Sequence, residues 1–127
     1  MDKFWYTREL QTWFSEALDD VKFSLQEQWF WVINTIDVQD RIKKTWKEIQ
    51  EYVVIWACNP YFASEALAIE YEIGLFFPCN IIIYKKSDKV YVSAIKPSHT
   101  MWFLNNPELS ELAQKLEKQL IMAIDNI

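Results

Sequence analysis

The 127-residue sequence predicts a small α+β domain with a mixed four-stranded sheet, βαβ crossovers and a C-terminal β-hairpin, packed by amphipathic helices at both ends. Three observations carry that prediction. Apolar residues recur at helical spacing near both termini. Short runs rich in β-branched and aromatic residues lie between them. Asn-Pro pairs follow two of the segment boundaries, at Asn59-Pro60 and Asn106-Pro107, where an Asn can cap a helix and Pro can take its first position.

From Leu10, apolar residues fall at Trp13, Phe14, Ala17, Leu18, Val21 and Leu25, with Glu16, Asp19 and Asp20 elsewhere on the wheel. This predicts the first helix, beginning almost at once, so any leading strand is missing or very short. Trp29 to Ile33 predicts the first strand. Asp37 is placed to cap a short helix from Val38 to about Trp46. Tyr52 to Ala57 is apolar on both faces, which predicts a central strand. A helix is expected from Pro60 to about Glu70, then a strand from Leu75 to Tyr84, opened by Gly74 and disturbed at Pro78. Lys86-Ser87-Asp88 reads as a polar turn and Lys89 to Ile95 as the returning strand. Pro97 begins a short helical segment to about Leu104. Asn106-Pro107-Glu108 then starts the last helix, whose face carries Leu109, Leu112, Ala113, Leu116, Leu120, Ile121 and Ile124. No linker or repeat divides residues 1–127, so one domain is expected.

Composition narrows function. Hydrophobic residues make up 51% and aromatics 17%, which excludes a disordered chain. Seven Trp, eight Phe and six Tyr exceed what one small core hides, so some should line a pocket or a subunit interface, and a homodimer is expected. A net charge of −5 with no basic stripe argues against nucleic acid as a partner. No apolar run is long enough to span a bilayer, and membrane binding ranks below ordinary packing. Met1-Asp2-Lys3 does not open a secretory leader, so a cytoplasmic location is expected, with the two cysteines reduced. A single Gly, Gly74, leaves turns of positive φ to Asn, Asp or Gly74 itself.

Chemistry has few places to sit. One His and two Cys, 21 residues apart, form no zinc spacing, although a symmetric dimer could pool its cysteines. Phosphate-cradling fingerprints need several glycines and are absent. No cofactor is expected and no catalytic constellation is recognisable. The residues left are Cys58 and Cys79, each followed by Asn, and His99 in a Pro97-Ser98-His99 turn. Cys58 precedes a helix start, where the partial positive charge would favour a thiolate. The competing reading makes both cysteines inert core thiols and His99 a solvated side chain.

Several motifs in order, Ala57-Cys58-Asn59-Pro60, Glu65-Ala66-Leu67, Ile73-Gly74-Leu75, Pro78-Cys79-Asn80, Val92-Ser93-Ala94 and Asn106-Pro107-Glu108-Leu109, resemble the domain of unknown function 302 family from about Trp29 to the C-terminus. The resemblance implies a small α+β fold, a dimer, and a biochemical role that is not established. One departure stands out. Gln28-Trp29-Phe30-Trp31 replaces a glycine-containing segment common in the family, a bulky change that could alter a surface or fill a cavity. The family pattern puts both CN dipeptides together, which suggests a pocket of Cys58, Asn59, Cys79 and Asn80 for a small molecule or a sulfur-containing ligand. The alternative is a dimeric protein–protein interaction module with no chemistry.

Overall fold

A computed structural model describes residues 4–127. Met1-Asp2-Lys3, on which the leader reading rests, lie outside the described residues. The elements run β1 (Trp5–Leu10), α1 (Phe14–Glu27), β2 (Trp31–Asp37), α2 (Val38–Lys43), β3 (Tyr52–Cys58), α3 (Pro60–Ile69), a 3₁₀ turn (Tyr71–Phe76), β4 (Cys79–Lys86), β5 (Lys89–Ile95), α4 (Pro97–Met101), a second 3₁₀ turn (Trp102–Leu104) and α5 (Pro107–Asp125).

The α+β class holds, but the sheet has five strands in the order β1-β5-β4-β3-β2 and every pairing is antiparallel. The expected four-stranded mixed sheet with parallel crossovers is therefore corrected in two respects. A leading strand does exist: β1 occupies an edge, with Tyr6, Arg8 and Leu10 turned toward the helices. Second, the chain leaves β3 at Cys58 and re-enters at Cys79, opposite Ala57, so α3 and its 3₁₀ turn form a long excursion at one end of an antiparallel pair. They do not cross the sheet, as a parallel return would require.

α1 and α5 pack on one face of the sheet and against each other. Between them and the strands lies the main core, with Val21, Leu25, Phe30, Ile55, Ile81, Ile83, Leu120 and Ile124 at or near zero exposure. Ser24, buried in α1, donates its hydroxyl to the Ala123 carbonyl of α5, which ties the two helices through a polar group without leaving it unsatisfied. Arg8 points the same way. Its Nη1 donates to the carbonyls of Ile124, Asp125 and Ile127 at 2.9, 3.3 and 3.0 Å. A cation there satisfies carbonyls that α5 leaves without intrahelical partners and complements its dipole.

Local chemistry places the caps. Asp37 Oδ1 accepts from Asp40 N at 2.9 Å, and Asn106 Oδ1 accepts from Leu109 N at 3.1 Å. The Ser87-Asp88 turn has positive φ at both positions (52° and 61°), the twist a two-residue hairpin needs between β4 and β5. Among the described residues, Asp88 and Asn105 take positive φ as expected, whereas Gly74 does not and Ser87, Trp29 (65°) and Trp46 (66°) depart from expectation. At Trp29 the bonding explains why. Phe30 N donates to Leu25 O and Trp29 N to Gln26 O, each at 3.0 Å, closing α1 in a Schellman turn. That turn places a left-handed residue at position 29, where glycine is the favoured residue.

Candidate functional site

The C-terminal end of β3 bends at Cys58 directly into α3. Asn59, 4% exposed, makes the junction. Its Oδ1 accepts from Tyr61 N and Phe62 N at 3.2 and 3.4 Å, while its Nδ2 donates to Gln119 Oε1 of α5 at 3.1 Å. One buried amide thus caps α3 and fixes it to α5. Pro60 follows at the first helical position, where a missing N–H costs nothing. On the neighbouring strand, Pro78 follows a cis peptide bond and immediately precedes β4, so it displaces no ladder hydrogen bond. The strand starts at Cys79; Gly74 and Leu75, expected in it, belong to the 3₁₀ turn.

Beneath this joint lies a cavity of about 40 Å³, enough for two or three waters by volume. Cys58, Asn59 and Cys79 line it, with Phe62, Ala63 and Ala66 of α3 on one side and Leu112, Ala113 and Leu116 of α5 on the other. It occupies the seam between the main core, to which Cys79 packs, and a second apolar cluster built on Ala66, Ile73, Leu109 and Leu112, to which Met101 packs. The seam stays open because α3 and α5 present alanines there, and small side chains cannot fill it.

Both thiols are free. Burial pushes the Cys79 thiol up to about 12, with the nearby Cys58 adding to the shift. Burial also raises Cys58. Proximity to the α3 N-terminus was expected to favour a Cys58 thiolate; desolvation by the apolar wall dominates instead. At neutral pH both sulfurs are protonated, soft and weakly nucleophilic.

The structure thus brings three of the five residues singled out in the sequence to one cavity. Asn80 is not among them. It is exposed on the opposite face of the sheet, in an open groove with Ile82 and Tyr84. His99 also lies elsewhere, in α4. Its Nδ1 is 3.0 Å from Ser98 Oγ and 3.9 Å from Glu117 Oε1, and Phe4 meets its ring edge-on. Ser98 in turn donates to Glu117 Oε1 at 2.6 Å. Serine and glutamate both lie on the Nδ1 side of the ring, whereas a hydrolytic triad needs the imidazole between them. Among the described residues no three His, Cys, Asp or Glu side chains converge as a metal cluster.

The cavity's apolar wall was missed as a wall. Leu109, Leu112, Ala113 and Leu116 carry a helix-face signal that does not distinguish packing from lining, and only the alanines hinted at spare volume. A second feature adjoins it. Trp29 and Tyr61 meet edge to face at 6.3 Å and, with Asn59, Phe62 and Gln119, line a surface notch that shares Asn59 and Phe62 with the cavity.

The crystal structure of the uncharacterized conserved protein DUF302 from Bacillus stearothermophilus is similar to this chain, with 26% identity, 98% of each chain covered and a TM-score of 0.93. No protein of curated function matches it. The sequence pattern of the domain of unknown function DUF302 matches residues 6–127, starting ahead of Trp29 and taking in β1. The chain belongs to the DUF302 family.

Proposed function

We propose that this protein is a small-ligand binding module whose site is the cavity at the β3–α3 and β4 junction, with small apolar or sulfur-containing molecules as its ligands. One observation carries the reading: the chain's only two cysteines, from different strands, line the same apolar cavity. Polarisable sulfurs in such a wall favour soft, weakly hydrated groups. The raised thiols argue for binding over nucleophilic chemistry, because the reactive thiolate is scarce at neutral pH. Two free thiols also suit a reducing compartment such as the cytoplasm.

Dimethyl sulfide, small and unreactive toward thiols, is a suitable probe. Titrated into isotope-labelled protein, it should shift the methyl signals of Ala63, Ala66, Met101 and Ala113, and Ala113→Leu should abolish the effect by filling the space. Shifts absent from these methyls, or spread over the exposed sheet face, would refute the site.

A second reading concerns partners and rests on a different observation. Antiparallel sheets open on one side usually turn polar residues outward. Here Trp5, Tyr52, Val54, Trp56, Ile82 and Tyr84 lie on the face away from α1 and α5, with Tyr52, Tyr84 and Tyr91 stacked at 5.7 and 5.3 Å. Five strands at about 4.8 Å spacing and about six residues of length give a footprint of ~500 Å² before side-chain relief. That approaches the roughly 800 Å² per partner of a stable interface. A homodimer formed through this face, with no chemistry of its own, is the alternative. Sedimentation equilibrium should then report a dimer that Ile82→Lys, at the centre of the face, converts to monomer; a monomeric wild type excludes it.

A further inference from the structure

Zinc sites are sought in a sequence as sets of four ligands. A soft monovalent d¹⁰ ion has other preferences, since thiolate and thioether donors select Cu(I). The seam cavity supplies sulfur and almost nothing else. Cys58 and Cys79 line it, Met101 adds a thioether to the wall, and the one polar side chain there, Asn59, already has its oxygen and nitrogen engaged.

The backbone brings the two cysteines to neighbouring positions on paired strands. Cys79 sits opposite Ala57 in the β3–β4 ladder, so Cys58 is one residue along from its direct partner. Strict alternation would send the two side chains to opposite faces of the sheet. Cys58 is the last residue of its strand, where the chain turns into α3, and it lines the cavity beside Cys79. A metal held linearly between two thiolates needs sulfurs about 4.6 Å apart, twice a typical metal–thiolate bond. Residues directly opposite on paired strands have Cβ atoms about 4.5–5.5 Å apart, and the turn at Cys58 departs from strict alternation by one position.

We propose that Cys58 and Cys79 form a two-coordinate binding site for a soft monovalent metal ion, of which Cu(I) is the representative. The assignment rests on the cavity reading above and names its ligand class. Binding is an exchange of protons for metal: one Cu(I) and two thiols give a bis-thiolate complex and two protons, with no change of oxidation state. The complex carries one negative charge in an apolar wall. That charge sits at the N-terminus of the ten-residue α3, whose unpaired N–H groups and dipole favour an anion there.

The test is anaerobic titration of the reduced protein with Cu(I) against a chromophoric competitor, with proton release followed in weak buffer. The expected result is one ion per chain and two protons released per ion. Cys58→Ala and Cys79→Ala should each weaken binding more than 100-fold, since loss of an outer-shell partner alone costs about 10–100-fold. Far-UV circular dichroism of each variant reports whether it remains folded. Should one variant fail to fold, capping the thiols of the folded wild type as methyl disulfides with methyl methanethiosulfonate, which releases methanesulfinate, must block the ion equally. Release of one proton, retention of binding without either cysteine, or equal affinity for Zn(II) would overturn the assignment. The outcomes separate this site from the broader reading. Dimethyl sulfide binding without Cu(I) binding leaves the cavity as a ligand site and removes the metal, while the absence of both removes the cavity.

Discussion

Cys79 makes alkaline stability a direct reading of the cavity's polarity. Its thiol is held at about 12 in the folded chain against 9.0 for a solvated cysteine. The fold therefore favours the protonated form, and the contribution is complete below pH 9 and disappears as pH rises through the interval from 9 to about 12. Each unit of displacement is worth about 1.4 kcal/mol. Between pH 8 and pH 11 linkage removes about 2.5 kcal/mol from the wild type. Cys79→Ala does not titrate there and should lose only what the remaining groups lose, among them Cys58 and Tyr84, whose raised values act in the same direction. At pH 8 the variant should be the weaker by about 1 kcal/mol, the cost of a small deletion at the edge of a cavity. The two stability curves should then cross near pH 10, with the variant the more stable at pH 11. Urea denaturation followed by far-UV circular dichroism at half-unit steps measures both curves. Parallel curves from pH 8 to 11 would mean that Cys79 is solvated, and the description of the cavity would be wrong.

Two further predictions concern the joint and the turns. Asn59→Ala removes the cap of α3 and the donor to Gln119 together, for a loss of about 1–2 kcal/mol, whereas Asn59→Asp keeps the cap and should lose less; equal losses in urea would contradict the division of work between its two side-chain atoms. Trp46, 97% exposed at φ 66°, has a conformation that favours glycine. Relief of about 1–2 kcal/mol of left-handed cost, less the ~0.5–1 kcal/mol entropy of a new glycine, should leave Trp46→Gly more stable by about 0.5–1 kcal/mol. Trp46→Ala keeps the backbone cost and should be near neutral, so equal melting temperatures for the two variants would refute the strain.

What could be read from the sequence was local. Asp37, Asn59 and Asn106 cap helices through bonds spanning two or three residues, and Ser87-Asp88 turns a hairpin through its own dihedral angles. β1 was hidden because its inward row, Tyr6, Arg8 and Leu10, contains a cation, and Arg8 is turned inward for carbonyls more than 110 residues away. β3 is an interior strand, paired with β2 and β4, as its apolar pattern suggested, but it is not covered on both faces: Tyr52, Val54 and Trp56 look out onto the open side of the sheet. The parallel crossovers failed for a related reason, since a helix between two strands does not state which end of the sheet the chain returns to. Of the group Cys58, Asn59, Cys79 and Asn80 read from the sequence, the first three line the cavity and Asn80 faces the other side of the sheet, whereas the alanines of α3 and α5 that hold the space open depend on how two distant helices meet.

The central claim is that Cys58 and Cys79 share a cavity that small molecules enter. Native-state labelling kinetics with thiol reagents of increasing size, resolved by residue with mass spectrometry, tests it most directly. The account predicts that methyl methanethiosulfonate modifies Cys58 in the folded protein, that a bulky aromatic disulfide reacts far more slowly, and that Ala113→Leu suppresses the small reagent's reaction without altering the melting temperature by more than a few degrees. Labelling that is indifferent to reagent size and to Ala113→Leu would place the thiol on the open surface and contradict the claim.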